Sequence, residues 1–346
     1  SDLSTEPMLA RLIGIALAVS KTESFYIPFG HSAGEQLTID TVRDALVPIL
    51  TDPALKAYAH HAKYDLLVLQ RHGFSWTNLT FDTMIAAYLL NESSTRLKDL
   101  AFTRLGMEMT EIKELIGTGR TQLTMDLVDL QQVSQYACAD VEATFALTEL
   151  YQQQIAEQGQ ERLFYEIEMP LIPVLVDMER AGIAIDVDYL KQLSEEIAVR
   201  MLALEREIYQ MAGHEFNINS TRQLAQVLFE ELKLPSGKRT KTGYSVDQEV
   251  LEALRAEHAI VDRILEYRSL GKLRSTYVEA LPAQVNSETG RVHTTYNQTI
   301  AATGRLSSTN PNLQNIPIRT ELGRRVRRAF IADHRPHYRL FENAVL

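Results

Sequence analysis

The chain has 346 residues, of which 45% are hydrophobic and 23% are charged, and its formal net charge is -10. This composition can bury a full hydrophobic core, and the length favours two domains over one. The single cysteine, Cys138, excludes an internal disulfide framework and a cysteine-rich zinc site. No apolar run reaches the roughly 20 residues that cross a bilayer. We therefore expect a cytoplasmic protein that does not enter a membrane.

Two strands and several helices are predicted in the first part of the chain. The apolar run 12–19 and the segment 25–29 are typical of paired strands, with a turn at 21–24 between them. Helical patterns follow at 41–50, 65–72, 83–90 and about 124–153. Strands followed by interleaved helices predict an α/β or α+β domain, which we place at residues 1–155.

The rest of the chain, residues 156–346, forms the second predicted domain, and after residue 170 its pattern is nearly all helical. Seven apolar residues recur there at spacings of three and four and predict one long amphipathic helix: Leu190, Leu193, Ile197, Met201, Leu204, Ile208 and Met211. Ser220 and Gln223 fit a capping box at the start of a further helix.

A basic loop follows at residues 236–245, where Lys238, Arg239 and Lys241 lie among glycines and small hydroxyl residues. Small neighbours let cations and backbone N–H groups reach phosphate oxygens. A solvated linker is the alternative interpretation of such a cluster.

Tyr136 and Asp140 are four residues apart on a predicted helix and therefore share one face. The carboxylate could hold an Mg²⁺ ion, which prefers oxygen ligands, and the phenol could orient an attacking water. Taken alone, this spacing is more typical of a half-exposed helix surface. Asp82 precedes a helical run and is predicted to be its N-cap.

The region from residue 305 to residue 339 carries a marked excess of cations over Glu321 and Asp333. Its cations are Arg305, Arg319, Arg324, Arg325, Arg327, Arg328, Arg335 and Arg339. Gly304 has no side chain, so a ligand can approach the backbone closely beside Arg305. An arginine placed in the minor groove contacts acceptors common to all base pairs, so it could detect correct pairing without reading sequence.

Amide side chains are dense just after this turn and precede Arg319. They belong to Asn310, Asn312, Gln314 and Asn315. As a set they can donate to sugar, base or phosphate acceptors, whereas each asparagine alone is better explained by turn formation.

The tract ATGRLSSTNPNLQNIP at 302–317, within the run 299–332, resembles the bacterial-type family A DNA polymerases where the thumb leads into the palm. The resemblance implies a mainly α thumb followed by the start of an α+β palm. It also implies that seven residues lie near primer–template DNA. Arg305, Gln314, Asn315 and Arg319 are expected near the primer–template, with Lys238, Arg239 and Lys241 on the duplex backbone.

The first domain resembles the 3′–5′ exonuclease domains of ribonuclease H-like α/β fold, through Lys63-Tyr64-Asp65 and the pair Tyr136 and Asp140. The resemblance implies that Asp65 and Asp140 are catalytic Mg²⁺ ligands and that Tyr136 positions the water. The family's first motif, an Asp and a Glu two residues apart, is absent from this chain, and His61 stands where the second motif usually has Asn. We therefore expect an incomplete ligand set and no DNA hydrolysis by this chain.

The leading hypothesis is a DNA-templated DNA polymerase, represented by a fragment that ends before the palm carboxylates and cannot polymerise. Its expected partners are primer–template DNA and, in the full-length protein, dNTPs; a monomer with no membrane partner is expected. Two alternatives stay open: a free-standing 3′–5′ exonuclease of the tyrosine-containing four-acid type, and a non-catalytic DNA-binding module.

Overall fold

The computed structural model describes residues 6–235, 239–240 and 243–332, and these form two compact units. The first unit contains the described residues up to Ala181 together with Thr294–Asn310. The second contains Gly182–His293 and the described residues from Pro311 onward. The first unit is α/β and the second is mainly helical. The domain boundary expected at residue 155 stays a prediction.

The bounds of the regular elements are as follows. The strands are β1 (Gly14–Ala18), β2 (Ser24–Pro28), β3 (Ala57–Ala59), β4 (Leu79–Asp82), β5 (Ala184–Ile185), β6 (Arg239–Thr240), β7 (Gly243–Tyr244), β8 (Thr295–Asn297), β9 (Ser307–Thr309) and β10 (Phe330–Ile331). The helices are α1 (Ile39–Thr51), α2 (Ala62–Arg71), α3 (Thr83–Leu89), α4 (Leu97–Leu100), α5 (Ile112–Ile116), α6 (Leu130–Glu157), α7 (Glu161–Leu163), α8 (Met169–Ala181), α9 (Val187–Ala212), α10 (Thr221–Ala225), α11 (Gln248–Ala253), α12 (Ala259–Leu273), α13 (Ala280–Ala283) and α14 (Glu321–Arg328).

The predicted strand pair and the early helices are confirmed. β1 pairs antiparallel with β2, with Gly14 opposite Pro28 and Ala18 opposite Ser24. β3 pairs in parallel with β4, and β8 pairs antiparallel with β9. The helices expected at 41–50, 65–72 and 83–90 are α1, α2 and α3. The one expected at about 124–153 is α6, which begins later, at Leu130, because Asp129 caps it there.

The core of the first unit is built around three aromatic side chains that are fully buried, Phe81, Tyr151 and Phe164. The ring centroids of Phe81 and Phe164 lie 4.5 Å apart. Trp76, the single tryptophan of the chain, packs against the same cluster. Its fluorescence therefore reports on the folding of the first unit.

Asp82 is buried and caps two helices. As predicted, it is the N-cap of α3, where Oδ1 accepts from the backbone N–H groups of Met84 at 2.8 Å and Ile85 at 3.4 Å. The sequence did not reveal its second role. The same carboxylate accepts from the N–H groups of His61 at 3.2 Å and Ala62 at 2.7 Å, at the start of α2. One side chain thus fixes the first turns of α2 and α3.

A buried ion pair joins α2 to α8. The ammonium group of Lys63 donates to Oε1 of Glu179, and both side chains are almost completely buried. The same oxygen accepts from the backbone N–H of Tyr296 in β8 at 2.7 Å. A buried carboxylate with several donors avoids the cost of an unpaired charge.

In the second unit, the predicted apolar stripe of α9 is largely confirmed. Its buried members are Leu190, Leu193, Ile197, Leu204 and Ile208. Gly213 ends the helix in the left-handed region, where glycine is favoured.

The capping box expected at α10 is only half present. Ser220 Oγ accepts from the N–H of Gln223 at 3.4 Å, but the Gln223 side chain accepts from the N–H of Asn217 at 2.7 Å rather than from Ser220. The chain turns before the helix and brings the Asn217 N–H within reach. Across the described residues, no helix is both long enough and apolar enough to cross a membrane.

Replacing Asp82 with alanine is expected to lower the free energy of unfolding of the first unit by about 2–4 kcal/mol, because two helices lose a cap and buried N–H groups lose their acceptor. Urea unfolding followed by Trp76 fluorescence measures this. Asp129→Ala is the matched control: Asp129 is exposed and caps only α6, so about 1 kcal/mol is expected. Equal losses in the two variants would contradict the double cap.

Acid is expected to destabilise the first unit through His60, whose Nδ1 lies 2.9 Å from the hydroxyl of Thr83. Burial lowers the pKa of His60 to about 4, against 6.5 in the unfolded chain. Between pH 6.5 and 4, His60 is protonated in the unfolded chain but neutral in the folded chain. The free energy of unfolding therefore falls as the pH drops from 6.5 towards 4. Between pH 7 and 4.5, the wild type should lose about 2–3 kcal/mol more than His60→Gln. Parallel losses would show that His60 makes no contribution.

Candidate nuclease cleft and nucleic-acid interface

A cleft of about 400 Å³ opens beside α6 in the first unit. It is lined by Glu108, Met109, Thr110, Glu114, Leu115, Gln132, Gln135, Tyr136, Ala139 and Asp140. The structure therefore brings the predicted pair Tyr136 and Asp140 together on one wall of a concave site, rather than on an ordinary helix surface.

Tyr136 is held in place from two sides. Its ring packs against a buried cluster that contains Ile13, Met125 and Val133. The ammonium group of Lys98 lies 4.2 Å from the ring centroid and donates to the carbonyl of Thr110. A cation over an aromatic face is attracted by the electrons of the ring. Burial raises the pKa of the Tyr136 phenol, and the carboxylate of Asp140 raises it further, so the phenol stays protonated.

Asp65 and Asp140 are carboxylates in a poorly solvated environment. Asp65 lies in the first turn of α2, which Asp82 caps. Burial raises the pKa of Asp65 to about 7, with contributions from the charges of Asp82 and Asp140. Burial raises the pKa of Asp140 to about 6, and the nearby charge of Lys98 opposes this. Asp140 Oδ1 is buried and has no hydrogen-bond partner among the described residues.

These carboxylates match part of the ligand set of the Mg²⁺ ion that the resemblance implies. A bound cation would partner the buried carboxylate oxygen that has no donor among the described residues, and it would stabilise both carboxylates whose pKa values burial raises. However, the described residues contain no group of three or more His, Cys, Asp or Glu side chains that could hold a metal ion. Among the described residues, the resemblance therefore leaves Asp65 and Asp140 as two expected ligands of a site that is otherwise incomplete.

His61 occupies a constrained position at the start of α2. Its backbone lies in the left-handed region, with φ at 66°, and it is the N-cap residue of the helix. Asparagine, usual at this place in the resembled motif, tolerates this conformation well, and histidine is also enriched there. Histidine at position 61 can therefore adopt the backbone conformation that this position has, although the resembled motif usually has asparagine there. Burial lowers the pKa of His61, whose Nδ1 is buried and has no partner within the described structure.

Several cleft residues were missed by reasoning from the sequence. Gln132 lies one helical turn before Tyr136, so extending the Tyr136–Asp140 face would have found it. The sequence gave no indication of Glu108 and Glu114, or of Lys98 over the Tyr136 ring, because only the folded chain brings them there.

Arg305 lies on an exposed turn in the loop between β8 and β9. The carbonyl of Ala301 accepts from the N–H of Gly304 at 3.0 Å and closes the turn. Gly304 has a φ of 73°, and a Cβ placed there would meet no atom within 4 Å. Glycine therefore suits the backbone angle, and no protein atom requires its lack of a side chain; the close approach of a ligand at Gly304 stays a prediction. The Arg305 side chain is exposed and has no hydrogen-bond or ion-pair partner in the described parts of the chain.

The other predicted DNA-binding residues belong to the second unit. Gln314 and Asn315 lie in an exposed 3₁₀ turn that the side chain of Asn312 caps, and the carbonyl of Asn315 accepts from the hydroxyl of Tyr277 at 2.5 Å. Arg319 is exposed just before α14.

The neighbouring turn depends on Gly323, because a Cβ there would meet the carbonyl oxygen of Pro317 at 2.3 Å. This contact packs α14 directly against the backbone that leads to Arg319.

The basic loop can be placed only in part. The backbone of Arg239 belongs to β6, which pairs with β7, whereas Lys238 and Lys241 lie outside the described residues.

Comparison with known families matches both parts of the chain. Residues 3–156 match the 3′–5′ exonuclease family, and residues 187–342 match DNA polymerase family A. The Pol1 polymerase domain from M. smegmatis, solved in complex with DNA primer–template and dNTP, is similar in structure. Its TM-score is 0.78 at 35% identity, over 93% of this chain and 52% of that one.

Curated relatives point the same way. DNA polymerase I of Chloroflexus aurantiacus is 46% identical over 95% of this chain, and that of Pseudomonas aeruginosa is 41% identical over 95%. The matched stretch is 36% and 37% of those two proteins, so the chain spans about a third of their length. The chain belongs to the family A DNA polymerases, of which it carries a 3′–5′ exonuclease domain and a region of the polymerase domain.

Proposed function

We propose that the protein to which this chain contributes is a DNA-templated DNA polymerase, and that this chain grips the primer–template. The observation that carries the proposal is Arg305, an exposed arginine without a partner in the described structure, held on a closed turn. Family membership supports it, as does the likeness to the M. smegmatis Pol1 domain, which was solved with primer–template and dNTP.

Arg305 is suited to contact correctly paired bases without distinguishing one base pair from another. Purine N3 and pyrimidine O2 present acceptors in the minor groove of every base pair, so a single donor there makes the same contact along any correctly paired duplex. Gln314, Asn315 and Arg319 are assigned to the same primer–template, and Lys238, Arg239 and Lys241 to the phosphate backbone. Phosphate contacts of this kind add affinity without sequence preference.

The cleft beside α6 is assigned to 3′–5′ exonuclease chemistry in the parent protein. Tyr136 stays protonated and can orient a water molecule, while Lys98 and the buried cluster fix its ring. Asp65 and Asp140 would hold Mg²⁺, which when bound supplies charge stabilisation for phosphodiester hydrolysis. Because the described residues provide only part of a ligand set, the chain by itself is expected to be inactive as a nuclease.

The remaining parts of the proposal concern the whole protein. Polymerisation, the use of dNTPs, a monomeric state and a cytoplasmic location are all assigned to it. A free-standing exonuclease is disfavoured, because it would leave the polymerase match at 187–342 without a role. A non-catalytic DNA-binding module would have no need for the cleft that holds Tyr136 and Asp140.

Arg305→Ala is expected to weaken binding of the chain to a primer–template duplex about tenfold, since an arginine contact to base edges is worth about 1–3 kcal/mol. Fluorescence anisotropy at several salt concentrations measures the effect, and binding by both proteins should fall as salt rises. Lys56→Ala is the matched control, because Lys56 is an exposed cation of the same unit without a partner among the described residues. Equal affinities of wild type and Arg305→Ala at moderate salt would refute the assignment.

Asp140→Asn and Asp65→Asn are each expected to weaken binding of Mn²⁺, an oxygen-seeking stand-in for Mg²⁺, by about tenfold or more. Titration followed by electron paramagnetic resonance measures the free ion. Glu157→Gln, which removes an exposed carboxylate at the end of the same helix as Asp140, should leave Mn²⁺ binding unchanged. Unaltered affinity in Asp140→Asn would show that Asp140 is not a ligand.

A further inference from the structure

The β8–β9 hairpin carries Arg305 in its loop and belongs to the first unit. Its sequence lies within the stretch matched to the polymerase family, whereas the rest of that unit contains the exonuclease match. The rest of the unit that holds this hairpin therefore precedes the polymerase match in the sequence.

Strand β8 and the residue after it are anchored by two acidic side chains. The N–H of Tyr296 donates to Glu179 Oε1 at 2.7 Å. Gln298, which is buried, donates from Nε2 to the carbonyl of Glu168 at 2.8 Å and to its carboxylate at 2.6 Å. These contacts hold the first strand of the hairpin, but they do not involve the tip of its loop.

Tyr88, in α3, reaches that tip. Its hydroxyl donates to the carbonyl of Ala301 at 2.7 Å. This is the carbonyl that accepts from the N–H of Gly304 and closes the turn before Arg305. The tyrosine thus binds the same acceptor that closes the turn. Since Gly304 has no contacts within 4 Å of a Cβ position, no side-chain packing at this position restrains the turn.

We propose that Tyr88 is a positioning residue for Arg305, and that the exonuclease-like segment thereby tunes the grip on primer–template DNA. The proposal rests on the proposed function of Arg305. A glycine-containing turn on the surface can adopt several conformations, and a second donor on its closing carbonyl favours the closed one. Apparent affinity falls in proportion to the fraction of molecules in the binding-competent state, so loosening the turn weakens binding without removing any contact to DNA.

Tyr88→Phe removes only the hydroxyl. We expect it to weaken primer–template binding by roughly two- to fivefold in fluorescence anisotropy with the whole chain. We also expect faster hydrogen exchange of the Gly304 amide, measured without DNA. Tyr26→Phe is the matched control. It also removes a hydroxyl that makes a hydrogen bond, to His31 at 2.7 Å, but this bond does not involve the hairpin. Urea unfolding followed by Trp76 fluorescence verifies that all variants are folded.

The double variant Tyr88→Phe with Arg305→Ala separates positioning from general destabilisation. If Tyr88 acts through Arg305, the double variant should bind no more weakly than Arg305→Ala alone. Additive losses, or wild-type binding by Tyr88→Phe when Arg305→Ala is impaired, would overturn the inference and leave the proposed function standing. If Arg305→Ala binds like the wild type, the proposed function of Arg305 fails instead. In that case an unchanged exchange rate at Gly304 would also overturn the role of Tyr88.

Discussion

The buried carboxylate of Asp82 is the constraint on which the arrangement of the first unit depends. Burying a carboxylate is unfavourable unless donors surround it, and here four backbone N–H groups at the starts of α2 and α3 do so. Neither helix can move at its start without leaving buried polar groups unpaired. Helix α2 carries Asp65, whose carboxyl group interacts electrostatically with that of Asp140, and α3 carries Tyr88, which contacts the β8–β9 hairpin. One side chain thus underlies both candidate sites.

The buried charges of this unit fall into two groups with different roles. Glu179 has a cationic partner in Lys63 and a backbone donor in Tyr296, so its burial is compensated and it serves the fold. Asp140 has an oxygen without a donor in the described structure, and burial raises its pKa and that of Asp65. Buried carboxylates without a partner are typical of functional sites, where a bound ligand supplies the donor or the positive charge.

The exonuclease match and part of the polymerase match share one compact unit. Thr294–Asn310 packs with the residues that precede Gly182, although its sequence belongs to the polymerase family match. The hairpin is held by Glu168, Glu179 and Tyr88, all of which come before that point in the chain. Residues before Gly182, among them Tyr88 of the exonuclease match, therefore support the hairpin that carries Arg305.

Local patterns in the sequence were enough to predict the β1–β2 pair, the main helices, the apolar stripe of α9 and the cap at Asp82, because each depends on neighbours within a few residues. Spacing and charge singled out Tyr136, Asp140 and Arg305 as candidates, and the resemblance added Asp65 and gave all four their expected roles. Only the tertiary structure placed Lys98 over Tyr136, paired Lys63 with Glu179 and brought Tyr88 to Ala301. These partners are between 38 and 213 residues apart in the chain, counted between the named residues. No periodicity or spacing links residues at such separations, so their contacts exist only once the chain has folded.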